Sequence, residues 1–211
     1  MDAVITLKRC RGRPPIPRDD SNIPRETLLR MGVEVLTEKG FSATGIDEIL
    51  RKAKVPKGSF YHYFDSKEAF GIALIDSYAS YFARKMSGFL LDTSRTPLDR
   101  IRAFVTDAKD GMARFNYERG CLVGNLGQEM GALPESFRQK LIEVFTDWQT
   151  RLGDCFLAAR EAGELAAEAD CRKLAAYFWI GWEGAVLRAK LERSPLPLNT
   201  FEDLFFTGLV R

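Results

Sequence analysis

The chain has 211 residues, of which 45% are hydrophobic and 28% charged, the make-up of a globular protein with a real core. Its formal net charge is only +2, which excludes strong global attraction to nucleic acid. Any such reading must rest on where positive charge is concentrated. A single histidine and four scattered cysteines leave no Ser-His-Asp or Cys-His unit and no zinc ligand set, so an enzyme and a metal or other cofactor are not expected.

Positive charge is concentrated at the front. Lys8, Arg9, Arg11, Arg13 and Arg18 fall in one run without an acid, leading into Pro14, Pro15 and Pro17 rather than into an apolar stretch. Residues 1–23 therefore read as an extended basic arm, not a signal peptide. No run reaches the ~18 apolar residues of a membrane helix, so the expectation is a cytoplasmic protein without a membrane partner. Arg11-Gly12-Arg13-Pro14 has the core pattern of an arm that lays arginines along a narrow minor groove; a solvated tail is the alternative.

Strand signals are nearly absent, and the fold class expected is all-α. Helical periodicity begins near Arg25 and ends at Lys39, where Gly40 serves as the stop. A short helix over 46–53 turns Ile46, Ile49 and Leu50 inward. Pro56 opens a third short helix reaching Tyr63. Asp65 with Glu68 has capping-box spacing for a long helix to about Leu91. Further helices are expected from Thr96-Pro97 to about Tyr117, from Pro134 to about Ala162, over 171–193, and from near Thr200. The glycine-rich segment 120–131 is a poor helix former.

Three short helices within about forty residues, the last two tightly joined, have helix-turn-helix geometry. On the third, Phe60 and Phe64 share one face and can seat it in a small core. Lys57, Ser59, Tyr61, His62 and Tyr63 remain outside as donors and aromatic groups. Gly58 would let backbone come close to a ligand. Polar, donor-rich side chains on such a stub suit a major groove.

The run Gly40-Phe41-Ser42-Ala43-Thr44-Gly45-Ile46, continued by Val55 through Glu68, resembles the TetR family of repressors. The resemblance implies an N-terminal three-helix DNA-binding domain (24–68) joined to a larger C-terminal effector-binding and dimerisation domain (69–211). It implies that Lys57, Gly58, Ser59, Tyr61 and His62 meet bases or adjacent phosphates, and that Thr44, Tyr63 and Lys67 hold the backbone of double-stranded operator DNA. It also implies a homodimer, since paired half-sites need paired recognition helices.

The late helix 171–193 is apolar nearly all round, so each of its sides must be covered. The interface is expected on the helices 134–162 and 171–193, through Trp148, Phe178, Trp182 and Val186. Glu183 lies inside that apolar helix. It needs a partner, with Arg188 or Arg119 available, or else it lines an effector pocket. The glycines of 119–131 leave space beside Cys121, Asn125 and Gln128, for close packing or for a small molecule. With Trp179, Trp182 and Glu183 these form the expected effector site. Segments 119–131 and 178–192 are similar to an acrylate-responsive subgroup of the family, and more loosely to an electrophile-sensing one. The effector implied is acrylate, a related short carboxylate, or a reactive electrophile. Cys121 would act as a thiolate if Arg119 or a helix terminus lowers its pKa, and otherwise merely lines the pocket.

Overall fold

The computed structural model describes residues 23–209. Arg11, Arg13 and the rest of the basic arm lie outside them. Among the described residues there are nine α-helices and no strand: α1 (Ile23–Lys39), α2 (Ile46–Ala53), α3 (Lys57–Tyr63), α4 (Lys67–Leu90), α5 (Pro97–Arg114), α6 (Leu122–Gln128), α7 (Glu135–Glu161), α8 (Cys171–Glu192) and α9 (Leu196–Leu209). No described helix is long and apolar enough to cross a membrane.

The first three helices close around Leu28, Leu36, Ile49 and Phe60, all essentially inaccessible to solvent. Gly40 ends α1 at φ +85°, a conformation that costs glycine nothing and an L side chain a great deal. Lys54 turns the chain between α2 and α3 in the left-handed region, and Pro56 caps α3. Phe60 packs tilted against Phe64 and edge-on against Phe70, with centroids 5.4 and 5.2 Å away, which fastens α3 to the start of α4.

Three boundaries differ from the sequence reading. Ser66, not Asp65, caps α4: its hydroxyl accepts from Ala69 N at 3.0 Å. Helix α5 stops at Arg114, because Asn116 and Tyr117 both take positive φ and send the chain back toward α1. Helix α9 starts at Leu196, since Pro197 is tolerated in a first turn, where its missing N–H has no intrahelical partner. The glycine-rich segment is not wholly irregular either, because α6 forms within it.

Helices α7 and α8 pack on each other most extensively, with α4, α5 and α9 laid against them. Trp148 and Trp179 meet at 4.9 Å between centroids in the centre of this bundle. Phe82, Phe104 and Phe178 surround them.

Candidate DNA-reading face and effector cavity

Helix α3 presents Lys57, Gly58, Tyr61 and His62 to solvent, with Tyr61 52% exposed. Ser59 and Tyr63 are half-buried, and His62 meets Tyr63 edge-on at 4.9 Å. Lys57 reaches Asp47 at 3.1 Å, with both side chains largely in water, a contact that solvent screens and a stronger anion can displace. A Cβ at Gly58 would meet nothing in the chain. Its helix therefore carries a glycine, at a cost of ~1 kcal/mol relative to alanine, for no internal packing reason.

Two of the expected backbone-holding residues have internal work instead. Thr44 is buried, and its hydroxyl donates to Gly40 O at 2.6 Å, so it shapes the α1–α2 turn and offers no free donor. Lys67 donates to Phe41 O at 2.9 Å and sits 4.4 Å above the Phe41 ring. Partial burial lowers its pKa.

A cavity of about 330 Å³ lies between α1, α4, α5 and α8. Of the six residues expected to bind an effector, Cys121, Trp182 and Glu183 line it. Trp179 does not, because it is fully committed to the core beside Trp148. Asn125 and Gln128 face a separate groove near Lys190. The Asn125 amide donates to Thr37 O at 2.9 Å and to Leu36 O at 3.3 Å, so it caps α1. Sequence reasoning missed the contribution of α1 itself, Arg30, Val33, Glu34 and Thr37, and that of Tyr78 and Arg119. No local pattern marks a helix of the first domain as a wall of a cavity in the second.

The electrostatics of this wall also differ from expectation. Arg188 pairs with Glu192, at 2.5 Å, and Arg119 with Glu34, at 2.8 Å. Among the described residues Glu183 therefore has no cationic partner; its neighbour is the Cys121 thiol. Burial pushes the Glu183 carboxyl up to about 7, despite the opposing hydrogen bond from Cys121. Held neutral, this carboxyl favours the folded state at low pH, and that contribution fades as pH rises from about 4.5 to about 7. Burial, then the neighbouring Glu183, push the Cys121 thiol well above its ordinary value. The same burial, then Cys121 and Glu183, raise the Tyr78 hydroxyl. Arg119 is engaged elsewhere and does not generate the thiolate that electrophile sensing would need. Replacing Cys121 by serine is expected to leave the affinity of this cavity for a short carboxylate within about twofold of the parent in a calorimetric titration, because a hydroxyl keeps the polar contact.

The segment beside the cavity also grips the DNA-binding unit. The Glu129 carboxylate, at the end of α6, accepts from Phe41 N at 2.9 Å and from Ser42 N at 2.7 Å. Gly40 has no side chain partly for this reason, since a Cβ there would overlap that carboxylate. Lys190 of α8 donates to Thr37 O and Glu38 O at 3.0 and 2.8 Å, and Gly120 N donates to Thr37 O at 3.1 Å. The carbonyls left open at the end of α1 are thus closed by groups from the second domain. Glu34 extends the link, pairing with Lys52 of α2 as well as with Arg119.

All four residues expected at a dimer interface are buried in their own chain: Trp148 0%, Phe178 0%, Trp182 3% and Val186 7% exposed. The outward stripe of α8 is instead Tyr177, Ile180, Leu187 and Leu191, continued by Leu204 on α9.

Residues 28–74 match the family described as bacterial regulatory proteins, tetR family, and residues 97–205 match the tetracyclin repressor-like C-terminal domain. The chain is 55% identical to the transcriptional regulator AcuR of Cereibacter sphaeroides, over 95% of this chain and 91% of that one. It belongs to the TetR family of transcriptional regulators. This TetR-family chain is also 32% identical to the HTH-type transcriptional repressor NemR of Escherichia coli K12, over 83% of its length and 88% of the relative's. A crystal structure of the regulatory protein TetR from Rhodobacter sphaeroides superposes with a TM-score of 0.88 at 55% identity. It covers 89% of this chain and all of that one. The first of these relatives is a transcriptional regulator and the second a transcriptional repressor.

Proposed function

We propose that this TetR-family regulator is a cytoplasmic, dimeric repressor that holds a palindromic operator through α3 and is released when a small effector fills the α1–α4–α5–α8 cavity. One observation carries the reading: a wall of the cavity is α1, the first helix of the DNA-binding unit. An effector that fits one placement of α1 better than another shifts the population toward it, and operator affinity changes by at most the difference in effector affinity. Lys57, Ser59, Tyr61 and His62 are assigned to bases and neighbouring phosphates, with Gly58 allowing close approach and Tyr63 beside the backbone. Arg11 and Arg13 are assigned to the minor groove.

The effector proposed is acrylate or a related short carboxylate. The likeness of segments 119–131 and 178–192 to an acrylate-responsive subgroup supports this, as does the mixture of aromatic walls and cations in the cavity. Fluorescence anisotropy on operator DNA, titrated with sodium acrylate, tests it. Release supports the reading, and undiminished binding at saturation rejects this effector.

The dimer is assigned to the outward stripe of α8 and α9, where Ile180 and Leu191 are 73% and 75% exposed. Large apolar side chains in one contiguous stripe mark an association surface. Replacing Ile180 and Leu191 together by aspartate is expected to give monomers by light scattering. Operator affinity should fall at least about tenfold, since one recognition helix then binds alone.

A further inference from the structure

Glu183 is half-buried, and its carboxyl lines a cavity open to a ligand without a paired cation among the described residues. A Cβ on Gly124 would overlap one of its oxygens, so the backbone of α6 is shaped to admit this carboxyl. Around it stand groups that carry protons: the Cys121 thiol, and behind that the Tyr78 hydroxyl. The charges facing the cavity are Lys85 of α4, Arg30 and Glu34 of α1, and Arg119. Lys85 is paired with Asp107 of α5, and Arg119 with Glu34, which also holds Lys52 of α2. Arg30 has no ion-pair partner among the described residues, and Glu34 offsets only one of Arg119 and Lys52, so these side chains together leave an excess of positive charge at the cavity. The exposed Tyr81 completes the mouth.

We propose that Glu183, in its neutral form, recognises the carboxylate of the effector, so that the cavity takes its ligand as a proton-sharing pair. The inference rests on the effector reading above and names the residue that selects the ligand class. An ionised Glu183 would repel an entering carboxylate in a site of low dielectric. A neutral one donates a hydrogen bond to it, and charge-assisted hydrogen bonds of this O–H···O⁻ type are short and strong. No bond is made or broken apart from the shared proton. Where Glu183 starts ionised, the complex takes up one proton from solvent. With the free carboxyl titrating at about 7, carboxylate affinity should fall about tenfold between pH 6 and pH 8. Acrylate itself stays ionised throughout that range.

The test is calorimetric titration of the full chain with sodium acrylate at pH 6 and pH 8, in two buffers of different ionisation enthalpy. Acrylamide serves as the uncharged control. The expected result is about tenfold weaker acrylate binding at pH 8 with uptake of up to one proton, and a flatter profile for acrylamide. Glu183→Gln donates from its amide without titrating, so acrylate should bind it with affinities within about twofold of each other at the two pH values. Acrylate affinity that is level or rises with pH in the parent overturns the proposal while leaving the effector reading intact. A Glu183→Gln variant that keeps the parent's pH dependence does the same. Failure of acrylate to bind at either pH overturns both.

Discussion

Replacing Lys57 and Tyr61 together by alanine should lower operator affinity by a factor of roughly 10² to 10⁴ while the protein stays folded. Each well-made base contact is worth about 1–3 kcal/mol of discrimination, and a phosphate contact less but in the same direction. Both side chains project from α3 into solvent, so removing them opens no cavity in the core. The ion pair Lys57 makes with Asp47 is exposed and its loss leaves the helix seated on Phe60 and Phe64. Anisotropy on the operator measures the loss, and an unchanged thermal midpoint shows that it is not unfolding. Preserved affinity would remove α3 from the operator interface.

Replacing Glu129 by alanine should have the second-largest effect, on stability and on coupling together. Its carboxylate accepts from two backbone N–H groups of the α1–α2 turn. Hydrogen bonds to a charged group contribute about 1.5–3 kcal/mol each when desolvated. Glu129 is half-exposed, so a total loss of about 2–3 kcal/mol is expected, lowering the thermal midpoint by several degrees. The larger consequence is functional. With the α1–α2 turn released from α6, the DNA-binding unit samples more orientations, operator affinity falls, and acrylate changes it less. Glu129→Gln keeps one acceptor oxygen and should lie between. A Glu129→Ala protein with the parent's midpoint and the parent's response to acrylate would show that the clamp transmits nothing.

The parts of the molecule legible in sequence are those specified by near neighbours. Phe60 and Phe64, four residues apart, show which side of α3 is buried, and the donors left over show which side is free. The aromatic content of α8 shows that the helix is covered on every side. It does not show which side faces its own core, and all-round apolarity alone puts Trp148, Phe178, Trp182 and Val186 at the interface, whereas the structure buries them in their own chain. Size places the rings inside, because a single bundle gains most by burying its largest apolar surfaces first. The signal that distinguishes the faces is spacing: Tyr177, Ile180, Leu187 and Leu191 form one stripe and Phe178, Trp182 and Ala185 the opposite one.

Effector-site residues were legible only where the chain is locally odd. Glu183 is a charge in an apolar helix, and Cys121 sits among glycines; both line the cavity. Asn125 belongs to the same odd segment but faces α1, which a seven-residue helix in that segment decides. Arg30, Glu34 and Tyr78 reach the cavity through contacts distant in sequence, and nothing in their neighbourhoods announces it. The Glu129 clamp is the same case, a single acid meeting a turn 87 and 88 residues away.

The most direct test of the account is operator affinity on the DNA upstream of this chain's own reading frame, measured at pH 6 with and without saturating acrylate. Because α1 serves both the cavity and the DNA-binding unit, filling the cavity should weaken operator binding, by a factor no greater than the ligand's preference for the released form. An operator affinity that is the same with the cavity demonstrably occupied would contradict it.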